Sequence, residues 1–218
     1  MRLIVFDFDG TLVDSRALIL ECHRSVFSEY GLPLPAPQDS LALIGRSLEL
    51  VLAQLAGPQA PIRDMVIAYS RVLPQLRAEP AFVETPFDGI ADLLRDLSCM
   101  PGVVLGIATG HTSTAVIPAL EALGWRQYFE TIQAADMAPS KPHPRMLLQA
   151  LDATAAKAEQ AVFIGDTSFD MEMAQAAKLR GIGVTWGYHT AERLSAAGAQ
   201  RIVRSVEELR SLLSVPLG

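Results

Sequence analysis

Only two of the 218 residues are cysteine, Cys22 and Cys99, and they form no CxxC or His-spaced pattern. A disulfide framework and a zinc site are therefore excluded, and two reduced, buried thiols are expected. Lysine is nearly as scarce: Lys141, Lys157 and Lys178 are the only three, the other basic residues are arginine, and asparagine is absent. Amine chemistry is thus confined to three positions. In a chain of formal net charge −6, no basic block or stripe is available to release phosphate counterions. Nucleic acid and anionic membranes are excluded as partners, which leaves a small molecule, bound by a monomer or homodimer. No apolar run reaches 18 residues, and the strand-like Leu3-Ile4-Val5-Phe6 meets Asp7 at once, too short for a signal peptide's apolar core. A cytoplasmic location is expected.

Half the residues are hydrophobic and 19% are charged, enough apolar material for a buried core. Short β-rich runs recur between helical patterns at Leu3–Phe6, Val103–Ala108, Thr131–Ala134, Ala161–Ile164, Gly181–Trp186 and Arg201–Val203. That alternation predicts an α/β fold, a Rossmann-like parallel sheet with helices on both faces. The interval 15–85 breaks the alternation. It holds helical stretches at Ala17–Tyr30, around Leu41–Leu55 and at Ile62–Leu73, the last stopped by Pro74, with prolines between them. An all-helical cap at 15–85, inserted into an α/β core formed by 1–14 and 86–218, is the expected organisation.

In an open α/β sheet the ligand crevice lies beyond the carboxyl ends of the strands. The residues that follow the apolar runs here are Asp7, Asp9, Gly10, Thr11 and Asp14; then Thr109, Gly110 and His111; then Lys141; then Asp166, Thr167, Ser168 and Asp170. If they converge, Asp7, Asp9, Asp166 and Asp170 share one pocket, and like charges about 4 Å apart repel by roughly 4 kcal/mol per pair at an effective dielectric near 20. One lysine cannot neutralise them, whereas Mg²⁺ with oxygen ligands can. A metal beside carboxylates, hydroxyls and one ammonium suits phosphoryl transfer. Asp7 is the candidate nucleophile. Asp9, two residues on along an extended chain and so on the same face, is the candidate acid and base.

The segment Asp7-Phe8-Asp9-Gly10-Thr11-Leu12-Val13-Asp14-Ser15 resembles the first motif of the haloacid dehalogenase superfamily of phosphatases. Ile107-Ala108-Thr109-Gly110, Ser140-Lys141-Pro142 and Ile164-Gly165-Asp166-Thr167-Ser168-Phe169-Asp170 follow in the family's order. With a helical insert after the first motif, the chain is most similar to the phosphoglycolate phosphatase-like branch. The resemblance implies Asp7 as nucleophile and Mg²⁺ ligand, and Asp9 as acid and base whose carbonyl also binds Mg²⁺. It implies Thr109 and Lys141 as phosphate holders, Asp166 as metal ligand and Asp170 as its outer support, and it raises the expectation of a cis Lys141-Pro142 bond.

Around these motifs the readings divide. Gly110 offers a backbone N–H to substrate, and His111 stands where the family often has other residues, so both are substrate-contact candidates. Arg46, after Gly45, is either a cap contact for an anionic group or a solvent-facing helix residue. Asp14 and Ser15 read as a helix N-cap, His23 as helix surface and His143 as a helix start. Met146, Leu147, Met171 and Met173 read as core. The glycines of Gly181–Gly187 lie within a strand pattern, which argues against a dinucleotide fingerprint. The cap contains no lysine, which excludes Schiff-base chemistry there. The leading reading is Mg²⁺-dependent hydrolysis of a small phosphate monoester, 2-phosphoglycolate-like, through an aspartyl-phosphate. A pyrophosphatase, a sugar-phosphate mutase or a non-catalytic phospho-binding module are the alternatives.

Overall fold

The computed structural model describes residues 1–215. Six parallel strands, β1 (Arg2–Phe6), β4 (Val103–Ala108), β5 (Phe129–Gln133), β6 (Ala161–Gly165), β7 (Arg180–Val184) and β8 (Arg201–Val203), form one sheet in the order β5-β4-β1-β6-β7-β8. Sandwiched between helical layers, β1 is apolar on both faces rather than alternating. Ile4 and Phe6 enter one core with Leu93 and Leu94 of α5 (Ile90–Ser98), Leu120 of α6 (Ser113–Ala122) and Leu209 of α10 (Val206–Leu213). Leu3 and Val5 enter the other with Met146 and Leu147 of α7 (Arg145–Thr154) and Met173 of α8 (Ser168–Ala176). The methionines and leucines expected in the core are there. The chain adds strands on one side of β1, then crosses to β6 on its other side, which places a crevice at the carboxyl end of β1.

Between two short strands, β2 (Val13–Asp14) and β3 (Thr85–Pro86), lie four helices: α1 (Arg16–Glu29), α2 (Pro37–Leu41), α3 (Leu48–Ala56) and α4 (Ile62–Arg77). They pack on their own cluster, which includes Leu18, Val26, Phe27, Leu52, Met65 and Leu73. β2 and β3 pair antiparallel, Val13 with Pro86 and Asp14 with Thr85, so both connections to the insert run side by side. The remaining short helix, α9 (Ala191–Ala196), follows β7.

Four local expectations are corrected. Helix α4 runs through Pro74 to Arg77; Ser70, whose carbonyl loses its donor, is exposed, so water can satisfy it. The stretch around Leu41–Leu55 is two helices, parted by a turn in which Gly45 has φ +99°. Cys99 is exposed, whereas burial pushes the Cys22 thiol up to about 12, leaving it inert. His23 is buried, its Nδ1 3.0 Å from Ser40 Oγ, and burial lowers its pKa to about 4. Among the described residues no helix is long and apolar enough to cross a membrane.

Candidate active site

Of the four carboxylates expected in one pocket, Asp7, Asp166 and Asp170 meet at the carboxyl edge of the sheet, whereas Asp9 stands in a second cluster with His111 and Glu84. Asp7 follows β1 directly, Thr109 follows β4, and Asp166 follows β6, all buried. Lys141 lies between β5 and α7, joined to Pro142 by a cis bond as expected, and its side chain has no exposure. Its Nζ donates to Asp170 Oδ1 and lies 2.7 Å from Asp7 Oδ1, with the Phe163 ring 5.3 Å away. Asp170 Oδ2 accepts from the backbone N–H and the hydroxyl of Thr167, which also closes a capping box at the start of α8. Thus Asp170 is fixed by its own helix and in turn fixes the lysine.

Asp7, Asp166 and Asp170 bring one oxygen each within 4.8 Å of one another. Burial raises the Asp7 pKa well above the usual range, and the Asp170 and Asp166 charges add to the rise against the opposing pull of Lys141. Burial and then Asp170 likewise raise Asp166 to about 7. Lys141 is held charged: the neighbouring carboxylates outweigh the burial that would lower it. Asp7 Oδ1 accepts from the Phe8 N–H, whereas its Oδ2 is buried without a hydrogen-bond partner. One ammonium therefore faces three crowded carboxylates, one of them with an unused oxygen. A hard divalent cation suits that donor set, which is oxygen only.

Asp9 sits in a separate charge environment. Burial alone would raise its pKa, but His111, whose Nε2 lies 2.8 Å from Oδ2, brings it below the ordinary value. The ring nitrogen is not aligned for a hydrogen bond, so this is a close charge contact. Asp9 reciprocally raises His111 against the burial that would lower it. Asp9 Oδ1 accepts from Ser15 Oγ at 2.5 Å, and Ser15 Oγ is 3.1 Å from the Tyr188 hydroxyl. Ser15 is the N-cap residue of α1, but its hydroxyl serves Asp9 rather than the helix. Glu84, buried and 2.6 Å from Arg77, completes this second cluster.

The sequence pointed to Thr11 and Ser168 without their partners and missed Tyr188 and His189. Thr11 Oγ1 donates to Asp166 Oδ1, and the Tyr188 N–H donates to Asp166 Oδ2. Gly187, beside Tyr188, admits no side chain, because a Cβ there would stand 2.2 Å from Asp166 Oδ2. His189 Nδ1 accepts from the Ser168 N–H, which leaves Nε2, 3.2 Å from the Ala42 carbonyl of the insert, as the donor. Tyr188 and His189 follow β7, and the strand-end rule that found the other residues would have found them too.

The insert meets the site through backbone. A Cβ on Gly110 would lie 2.5 Å from the Arg46 carbonyl oxygen and 2.8 Å from that of Gly45, and Ser140 Oγ accepts from the Ser47 N–H. The Arg46 guanidinium itself donates to Gln54 Oε1 and stacks 5.5 Å from the Phe169 ring centroid. Gly110→Ala should therefore cost about 1–3 kcal/mol by overpacking against backbone atoms. A lower urea midpoint at unchanged slope is the expected result. Beside these residues, a cavity of about 500 Å³ runs between insert and sheet, with Asp9, His111 and Gly110 in its wall.

The family model described as haloacid dehalogenase-like hydrolase matches residues 4–184. A Dickeya dadantii protein named "Probable phosphatase IndB" is 34% identical over 212 residues, covering 95% of this chain and 91% of its own. A phosphoglycolate phosphatase of Agrobacterium fabrum is 30% identical over 190 residues, 85% of this chain and 81% of that one. Among solved structures, a haloacid dehalogenase-like family hydrolase from Streptococcus pneumoniae superposes with a TM-score of 0.84 at 28% identity, covering 98% of each chain.

Proposed function

Because the chain belongs to the haloacid dehalogenase-like hydrolases, we propose that it is a Mg²⁺-dependent phosphatase that cleaves a small phosphate monoester through an aspartyl-phosphate on Asp7. The observation that carries this reading is the buried Asp7, clustered with Asp166 and Asp170 and keeping one oxygen, Oδ2, unpartnered: a nucleophile and a cation site in one place. Asp7, the Asp9 carbonyl and Asp166 would hold Mg²⁺, with Asp170 supporting from outside. Bound there, the ion would neutralise the carboxylates and offset charge on the phosphoryl oxygens. The helical insert serves as the cap. Several relatives are named phosphoglycolate phosphatase, and 2-phosphoglycolate is taken as the reference ester.

Asp7 attacks phosphorus in line with the leaving oxygen. Lys141 and the Thr109 hydroxyl, with the Gly110 N–H, hold the non-bridging oxygens where charge develops. Asp9 gives a proton to the leaving oxygen, then takes one from the water that hydrolyses the acyl phosphate. In the unliganded site Asp9 is a carboxylate paired with His111. A phosphate dianion arriving beside it raises the cost of that negative charge and draws a proton onto Asp9 from the solvent of the cavity it borders.

Phosphate release from monoesters should require added Mg²⁺ and stop on chelation; turnover that survives exhaustive chelation sinks the metal assignment. Stability supplies a second test. Between pH 3.8 and about 7 the folded, metal-free protein keeps a proton on Asp166 that the unfolded chain has lost, so this group's contribution falls as pH rises through that window. Mg²⁺ replaces that proton. The gain in Tm on adding Mg²⁺ should be larger at pH 8 than at pH 5, and an equal gain at both would count against these ligands.

A further inference from the structure

If Asp9 protonates the leaving oxygen, the carbon attached to that oxygen must point into whatever space Asp9 borders. That space is the cavity of about 500 Å³ between the insert and the sheet. A two-carbon glycolate occupies about the volume of three or four waters, on the order of 100 Å³ at ~30 Å³ per water. Most of the cavity would then stay empty or wet. One side of its wall is apolar: Ile19, Ile44, Val51, Tyr69 and Leu73 line it and are each at most 6% exposed.

Deep inside, the wall offers a second anionic group one buried donor, the unpartnered Arg77 Nε, on a guanidinium whose charge Glu84 already neutralises. Arg77 is neutralised by Glu84 at 2.6 Å, and its other terminal nitrogen donates to the Ala115 carbonyl. His111 is matched by Asp9. Among the cavity-lining residues, Arg46 is the cation left without an acid partner, and its guanidinium stands over the Phe169 ring at a partly exposed position. Glu49 and Asp136, also in the wall, add negative charge.

We propose that the substrate is a phosphate monoester whose alcohol half is an uncharged, carbon-rich body of ring size or larger, seated in this cavity against Tyr69 and the aliphatic side chains of α1, α3 and α4. The inference rests on the phosphatase reading and narrows it. It departs from the glycolate of the named relatives because the pocket beyond the leaving oxygen is too large and too apolar for a two-carbon carboxylate.

The test compares kcat/KM of the full chain with Mg²⁺ on three unactivated monoesters: phenethyl phosphate, ethyl phosphate and 2-phosphoglycolate. Burying the phenyl group should favour phenethyl phosphate over both others by about 10- to 100-fold. Val66→Trp and Ala115→Phe, which fill the cavity from α4 and α6, should bring the phenethyl-to-ethyl ratio down toward one. A wild-type preference for 2-phosphoglycolate, or a ratio near one, overturns the substrate class and leaves the phosphatase reading standing. A high wild-type ratio that neither folded variant lowers overturns the assignment to this cavity. Failure to turn over any of the three esters at any Mg²⁺ concentration overturns the phosphatase reading itself.

Discussion

Asp7→Asn should lower turnover of every phosphate ester by at least about 10⁴-fold, the scale seen when a covalent nucleophile is removed from an otherwise intact site. The substitution is isosteric, and the amide oxygen can still accept from Lys141. What is lost is the carboxylate proposed to form the bond to phosphorus. The same change should leave the metal-free protein as stable as the parent or more so. Burial, with Asp170 and Asp166 behind it, makes the Asp7 charge unfavourable despite Lys141, and a neutral amide removes that cost. In a chain of this length about 1 kcal/mol moves Tm by roughly 2–4 °C, so a differential scanning measurement in chelator can resolve the gain. Phosphate release measured in parallel separates the two effects. Wild-type turnover in Asp7→Asn would end the aspartyl-phosphate mechanism, and a large fall in Tm would recast Asp7 as a structural residue.

The sheet and the carboxylate cluster were legible because each rests on local rules. Strands buried on both faces read as unbroken apolar runs, and in a parallel sheet the residues just past those runs share one edge, so Asp7, Thr109, Lys141 and Asp166 could be placed together without coordinates. Helix boundaries within the insert resisted at two places: a proline whose freed carbonyl faces water does not stop a helix, as Pro74 demonstrates, and the stretch around Leu41–Leu55 is parted at Gly45. The partners of the clustered carboxylates were harder. Ser15 reads as a helix cap, and only the return of the chain past Asp9 turns its hydroxyl inward. His111, Glu84 and Arg77 form a charge cluster with Asp9 across the junction between insert and sheet, a docking that no periodicity encodes. At Arg46 the loop's backbone carbonyls approach Gly110 while the guanidinium turns to Gln54 and Phe169.

Lys141→Met should be the most destabilising single change at this site. The lysine is completely buried between Asp7 and Asp170 at 2.7 Å from each, and removing one member of a buried ion cluster leaves the others uncompensated. Such losses run at about 3–5 kcal/mol, or roughly 6–20 °C in Tm for a chain of this length. Turnover should fall by about 10²- to 10³-fold, the effect of losing one preorganised donor to the transferring group. Two further measurements distinguish charge compensation from packing. In an Asp7→Asn background the cost of Lys141→Met should shrink, because one of the stranded carboxylates is gone and the residues act as a unit. Mg²⁺ should restore much of the lost Tm without restoring turnover, since a cation can offset the carboxylates but cannot supply the ammonium that holds the phosphate. Equal costs in both backgrounds, or no response of Tm to Mg²⁺, would mean that Lys141 matters for its packing against Phe163 rather than for its charge.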